Sequence, residues 1–295
     1  MVRSASLGSR ISDWVMIVFV ALVSCSSLFP IIHNLAISFS MPAKAMAGFV
    51  TIFPKGFTLE SYNKLIEDHA FFLSFWVSLK RVAVTAAISF FLSLLMAYPL
   101  SRTTKEFGFR NIYMWLLIFV MMFNGGLIPF YLVVRDMGLI NSFWVLVLPM
   151  LINVFNVILI VNYFRSIPKE LDESASIDGA GPWYKVFGIY MPLSMPVLAT
   201  TTLFLIVNVW NEFMLGLIFI HDQKGIPLQT YMQQLVVRID PTLMQTVEDV
   251  KRMAAVSDKT LGAAKIFASM LPIMIVYPFL QKYFISGIML GSVKE

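Results

Sequence analysis

From Trp14 to Ile37 the chain runs without one Asp, Glu, Lys or Arg. About 20 apolar residues cross the hydrocarbon of a bilayer. A backbone in that medium must satisfy its own hydrogen bonds, so such a run folds as a helix. Apolar runs return at 82–100, 112–134, 143–164, 189–220 and 266–285, with Glu212 and Lys282 the charged residues within them. Six spans predict an all-α, polytopic membrane protein, and the simplest division is one membrane domain over 1–295. Composition agrees: 58% of the residues are hydrophobic and 13% charged, where a soluble domain carries about 25% charged residues. The third run breaks at Asn124-Gly125-Gly126, with Pro129 beyond. Irregular backbone at membrane depth must be buried in protein or wet, so an interface is expected near that break. The first run has Arg3 and Arg10 before it and a Leu22-Val23-Ser24-Cys25 box within it. It continues past Cys25 well beyond the 7–15 residues of a signal-peptide core, so it is read as an uncleaved helix.

Several function classes fall away. The net charge of +5 is not a nucleic-acid signal here, because basic residues of membrane proteins sit at headgroup level and set topology. A single cysteine, Cys25, excludes an internal disulfide framework. His33, His69 and His221 share no metal-ligand spacing. No phosphate-binding G-x-x-x-x-G-K-[ST] loop is present, so ATP chemistry of that kind belongs to a partner. Nor is there a second acidic cluster of the sort that holds magnesium pyrophosphate in membrane prenyltransferases, or a G-x-S-x-G serine elbow. No catalytic residue, cofactor or metal site is expected on this chain.

With six spans both termini share a side. That side carries Arg3, Arg10, Arg102, Lys105, Arg110, Arg165, Lys169, Lys185, Lys282 and Lys294. The remaining cations lie mostly in two long loops, 38–81 and 221–265, which weigh less in orientation. The balance predicts cytoplasmic termini and places segment 165–188 in the cytoplasm. Within the outer loops, 58–70 and 228–237 read as short helices, and 242–265 as a polar, helix-capable lead into the last span. Lys80 and Arg81 read as side chains snorkelling at the end of the second span, where they could also meet an acidic sugar.

The least apolar internal stretch is ELDESASIDGAGPWYKVFGIYMPLSMP, 170–196. Ser166 suits a helix N-cap, and Pro168 suits the first turn. Glu170, Asp172 and Glu173 follow early, where the helix dipole favours acids. Gly179 can take the left-handed conformation that ends a helix, and Pro182 suits the start of the next. The segment therefore reads helix, sharp turn, second helix, then the fifth span near Pro192. On physics alone this is either a solvated loop with ordinary punctuation or a docking shape.

The residues Glu173-Ser174-Ala175, Asp178-Gly179-Ala180, Phe187, Pro192 and Pro196 resemble the EAA loop of ABC importer permeases. That signature runs E-A-A, three residues, G, nine residues, I-x-L-P; Glu173, Ala175, Gly179, Ile189, Met191 and Pro192 occupy its positions. Ser174 and Met191 depart from it conservatively. The stretches FNGGLIPFYLVVRDMGLINSFWVLVLP (123–149) and NVWNEFMLGL (208–217) are similar to the carbohydrate-uptake branch, in particular to its maltose-permease-like subunit and to permeases for alginate- or pectin-derived oligosaccharides. The resemblance implies a coupling helix docked on a separate ATPase, with Glu173, Ala175, Asp178, Gly179 and Ala180 as the docking set. It implies a bacterial inner-membrane importer working by alternating access. Its partners would be a second homologous permease, an ATPase dimer carrying ATP and magnesium at the cytoplasmic face, an extracytoplasmic solute-binding protein and membrane lipid, with no nucleic acid.

Asn208, Trp210, Asn211 and Glu212 lie in the fifth span and are candidates for the substrate path. A carboxylate in hydrocarbon must face the bundle, a partner or water, so Glu212 is either a path residue or a polar clamp between helices. The clamp is favoured, because the WNEF pattern recurs across family members with different substrates. Trp210 could stack on a sugar or simply pack. Two alternatives remain open. One is a permease for another solute, such as glycerol phosphate. The other is a membrane enzyme using Glu170, Asp172, Glu173 and Asp178 as a metal site.

Overall fold

The computed structural model describes residues 7–237 and 259–292. Among them the chain is all-α, with no strand beyond an isolated bridge between Ser40 and Phe57. Three helices are long and apolar enough to cross a membrane, at Ile11–Ser38, His69–Ser101 and Lys259–Pro278. Three further apolar stretches are bent pairs: Arg110–Met122 with Leu127–Asp136 at 116°, Phe143–Met150 with Val154–Ser166 at 42°, and Pro182–Leu193 with Met195–Asn211 at 80°. Counting each pair as one span gives six.

The helices are α1 (Leu7–Ser38), α2 (Pro42–Met46), α3 (Glu60–Glu67), α4 (His69–Ser101), α5 (Arg110–Met122), α6 (Leu127–Asp136), α7 (Phe143–Val147) and α8 (Val154–Ser166). After them come α9 (Lys169–Ile177), α10 (Pro182–Tyr184), α11 (Met191–Leu193), α12 (Met195–Asn211), α13 (Met214–Phe219), α14 (Leu228–Val237) and α15 (Lys259–Ser292). A π-helical turn, Lys185–Tyr190, joins α10 to α11.

The chain forms two compact units. The first comprises Met1–Phe71 and Gln234–Leu271. Its small core holds Ala36, Ile37, Ala45, Val50 and Ala263. Polar ties reinforce it: Asn34 donates to the Ala263 carbonyl at 2.9 Å, Ser61 donates to Thr260 at 2.7 Å, and Lys265 pairs with Asp68 at 2.6 Å. The second unit comprises Phe72–Gln233 and Pro272–Glu295. One of its cores packs Leu94, Ala97 and Leu100 of α4 with Leu117, Val157, Ile160, Phe164, Tyr190 and Leu198. Another gathers Val134, Val145, Leu146, Leu215 and Phe219.

The break in the third run falls where the sequence places it. Phe123 is extended, and the Asn124 side chain accepts from the Gly126 N–H at 2.9 Å. The expected short helices appear as α3 and α14, and 242–258 lies outside the described residues. Two boundaries differ. The second helix starts at His69, not near 82. Lys80 and Arg81 interrupt its hydropathy, and the α4 face bearing Ser74, Ser78, Arg81, Thr85, Ser89 and Ser93 is buried. The fifth span ends at Asn211, not Ile220. Glu212 is extended (ψ 123) and α13 begins afresh at Met214.

Gly216 of α13 is required by a close approach. A Cβ there would lie 2.2 Å from Thr230 Oγ1 and 2.8 Å from Pro227 Cδ. Thr230 uses that proximity to donate to the Phe213 carbonyl at 2.8 Å.

Candidate functional site

The acidic segment folds as helix, turn and second helix. Helix α9 closes with two of its last carbonyls accepting from N–H groups past its end, the double pattern that a left-handed residue permits. Gly179 has φ +77 and donates to Ser176 O at 3.1 Å, while Ala180 donates to Ala175 O at 2.8 Å. Pro182 opens α10, as expected. The start of α9 differs from expectation. Ser166 donates to Tyr163 O at 2.7 Å and so belongs to the end of α8. Pro168 itself stands at the N-cap, and no side chain caps the helix. Glu170 and Asp172 occupy the first turn, where the dipole favours them.

Helical spacing divides α9 into two faces. Asp172, Ala175 and Ser176 lie together on the inner one. Ala175 is buried and Asp172 is half-buried, while Ser176 is exposed and accepts from Lys185. Glu173, Ser174 and Ile177 are exposed on the outer one, Ile177 to 87%. Asp178 and Gly179 are exposed at the turn, and Ala180 is half-buried. Within the expected docking set, then, Ala175 packs into its own chain, and a small residue there lets α9 lie close to the bundle. Ile177 was missed in the sequence. Its signal was an apolar residue four places after Glu173, on the polar face of a short helix.

Asp172 is the centre of the inner face. Arg102, just past the end of α4, grips its carboxylate with two nitrogens, at 2.8 and 2.9 Å. Lys185 reaches it at 3.3 Å and also donates to Ser176 Oγ at 2.6 Å. Ser176 in turn donates to the Asp172 carbonyl at 2.8 Å. The Arg102 guanidinium lies over the rings of Tyr98 and Tyr190, 4.3 and 4.8 Å from their centres. Burial pushes the Asp172 carboxyl up, but the hydrogen bonds and charges of Arg102 and Lys185 outweigh that and hold it below the ordinary carboxylate value. In the sequence Arg102 stands out only as one of the cations that set topology.

A second ion pair lies deep in the same unit. Arg81 is 1% exposed. Its Nε donates to Leu146 O at 2.9 Å, one terminal nitrogen donates to Glu212 O at 3.1 Å, and the other bonds the Glu212 carboxylate. The second Glu212 oxygen accepts from the Leu215 N–H at 2.8 Å. Glu212 therefore stops α12, starts α13 and neutralises a buried arginine. Arg81 does not snorkel, because its partner comes to it inside the bundle. Lys80 is exposed, with its ammonium 4.8 Å over the Phe143 ring.

The other path candidates separate. Trp210 is buried, edge-on to Phe75. Asn208 and Asn211 are exposed, and Asn211 donates to Val207 O at 2.8 Å. As for a metal site among the four acids, Asp172 is already committed to two cations. Among the described residues no three His, Cys, Asp or Glu side chains converge on a point that could hold an ion.

Known proteins resemble the chain along nearly all of its length. Protein LplC of Bacillus subtilis (strain 168) is 40% identical over 285 residues, covering 97% of this chain and 95% of the relative. The polygalacturonan/rhamnogalacturonan transport system permease protein YtcP of the same organism is 35% identical over 286 residues, covering 97% and 99%. Among solved structures, a chain of a bacterial ABC transporter involved in the import of the acidic polysaccharide alginate superposes with a TM-score of 0.85 at 30% identity, covering 95% of this chain and 99% of its own. Residues 2–290 match the model of the binding-protein-dependent transport system inner membrane component, and the chain belongs to that family, as a multi-pass permease subunit of an ABC importer rather than an enzyme.

Proposed function

We propose that this permease forms one half of a path for acidic oligosaccharides of the alginate or pectin type. A second, homologous permease supplies the other half. The observation that carries the coupling part is the outer face of α9 and its turn. Glu173, Ile177, Asp178 and Gly179 stand exposed on a helix whose inner face is tied to the bundle. Such a helix suits the cleft of a separate ATPase. The substrate class is supported by the similarity to a polygalacturonan/rhamnogalacturonan permease and to an alginate importer.

In this reading 165–188 and both termini face the cytoplasm, and an extracytoplasmic binding protein delivers the sugar to the opposite side. ATP and magnesium act on the partner ATPase. Closure of the ATPases moves the coupling helices, the two permease halves rock, and the cavity opens outward. The α9 contacts must differ between the two states, since equal contacts would shift no equilibrium.

The test is uptake by a strain lacking this chain and complemented with it. Loss and recovery of uptake of short oligogalacturonates or oligoalginates is expected. Unchanged sugar uptake together with lost glycerol phosphate uptake would replace the substrate assignment. Metal-dependent turnover by the isolated chain would overturn the transport reading altogether.

A further inference from the structure

We propose that Asp172 and Arg102 are the joint through which α9 moves the membrane helices. They are positioning residues that carry displacement between the coupling helix and the bundle, and they are not contacts to the ATPase. The proposal rests on the coupling reading above and names the device by which the lever is fastened.

Four observations carry it. Ala175 is the one apolar residue of α9 that is buried, while Leu171 and Ile177 are exposed. The attachment of α9 to its own chain is therefore chiefly polar, and its strongest element is the two-nitrogen grip of Arg102 on Asp172. A two-point grip fixes direction as well as distance, which a greasy contact able to slide does not.

The second observation is where Arg102 sits. It follows the last turn of α4, whose Leu100 carbonyl accepts from Arg110 at 3.2 Å and from Arg165 at 3.0 Å. Those arginines stand at the start of α5 and near the end of α8. The C-terminal end of α4 is thus a knot of helices, and cations there suit its dipole.

The third is the π-helical turn 185–190. Pro192 lacks an N–H and crowds the carbonyl four residues back, a cause for the extra residue in this turn. A π-turn brings residues five apart closer to one face than an α-turn does. Lys185 and Tyr190 both reach Asp172 in consequence, Tyr190 at 3.5 Å, the limit of a hydrogen bond. One carboxylate thereby holds α4 and the segment that leads into α12.

The fourth is a spare donor. Arg102 Nε is buried and has no hydrogen-bond partner. A structural clamp would bond every nitrogen, as Arg81 does. An arginine that keeps one donor idle while flanked by two tyrosine rings has room to exchange partners as α9 shifts.

The test uses the reconstituted complex of both permeases and the ATPase dimer, with the binding protein and a short oligogalacturonate. Three quantities are read: co-purification of the ATPase, stimulation of ATP hydrolysis by loaded binding protein, and sugar moved per ATP. Asp172→Asn is expected to keep the ATPase at wild-type stoichiometry and to lose about tenfold in stimulation, within the usual size of a coupling free energy. Asp172→Glu restores most of it. Arg102→Lys keeps the charge without the two-point grip or the flat face between the tyrosines, and stays uncoupled. If Asp172→Asn merely lowers the yield of complex while each complex is stimulated normally, the joint is refuted and the residues only stabilise the fold. If the wild-type chain retains no ATPase at all, the coupling reading fails and takes the joint with it.

Discussion

Arg81 sits within α4 and Arg102 just past its end, and each holds a carboxylate from far along the chain. Glu212 follows Arg81 by 131 residues and Asp172 follows Arg102 by 70. The Arg81 pair is sealed: its side chains are 1% and 15% exposed, and every nitrogen of the arginine is bonded. The Arg102 pair is nearer the rim, at 13% and 15%, with one nitrogen idle and a lysine competing for the same oxygen. Chemically the two pairs are alike. The surroundings make one a fixed clamp on the α12–α13 break and the other a joint that can work. Burial with complete satisfaction locks an ion pair, and partial satisfaction near water leaves it free to respond.

The largest expected effect comes from breaking the clamp. Arg81→Met leaves Glu212 without its cation, which costs about 3–5 kcal/mol for a buried pair. Thermal unfolding of the purified complex reads it. Arg81→Met combined with Glu212→Met recovers much of the loss, because a matched apolar pair avoids the stranded charge. A single variant as stable as wild type would show that Arg81 finds water instead of Glu212.

Gly216→Val comes next. The added side chain meets Thr230 and Pro227 at distances no van der Waals contact allows. Overpacking of this kind costs about 1–3 kcal/mol. It should free α14 from α13 while leaving the Arg102 joint intact, seen as faster hydrogen exchange at 228–235 and unchanged exchange in α9.

Gly179→Ala isolates backbone strain. Open space surrounds the position and φ is +77, so the cost is the left-handed penalty, about 1–2 kcal/mol. Exchange at the Asp178–Ala180 amides should rise, and Gly179→Asn should do less harm.

Acid tests the Asp172 pair more gently. The folded Asp172 value lies below the ordinary one. Its contribution is therefore complete above the unfolded pKa, about 3.9. The contribution is lost as pH falls through the lower folded value. The stability gap between wild type and Asp172→Asn should be flat near neutrality and close below about pH 4. As a baseline, Lys64→Ala removes the exposed pair with Glu60 and should change stability by less than about 1 kcal/mol.

What the residues disclosed in advance depended on range. Local punctuation was legible: Gly179 and Pro182 bracket the turn after α9, and Asn124-Gly125-Gly126 breaks the third run. Apolar runs marked the spans for the same reason, since hydropathy is a local quantity. The pairs were not legible. Arg81 looked interfacial because the residue that neutralises it lies in another span. Asp172 looked like one acid among several until Arg102 and Lys185 closed on it. The cost of a carboxylate in hydrocarbon marks Glu212 as either a clamp or a path residue, and the sequence does not disclose its partner. Ala175 was grouped with the docking residues by motif, and only the twist of α9 shows that it turns inward.

In the proposed mechanism the outer face of α9 meets an ATPase on the cytoplasmic side. With Cys25→Ser as background, Ile177→Cys should react with a membrane-impermeant maleimide in inside-out vesicles and not in right-side-out ones. The co-assembled ATPase should protect it. Reaction from the outside, or reaction inside that the ATPase leaves unchanged, would contradict the account.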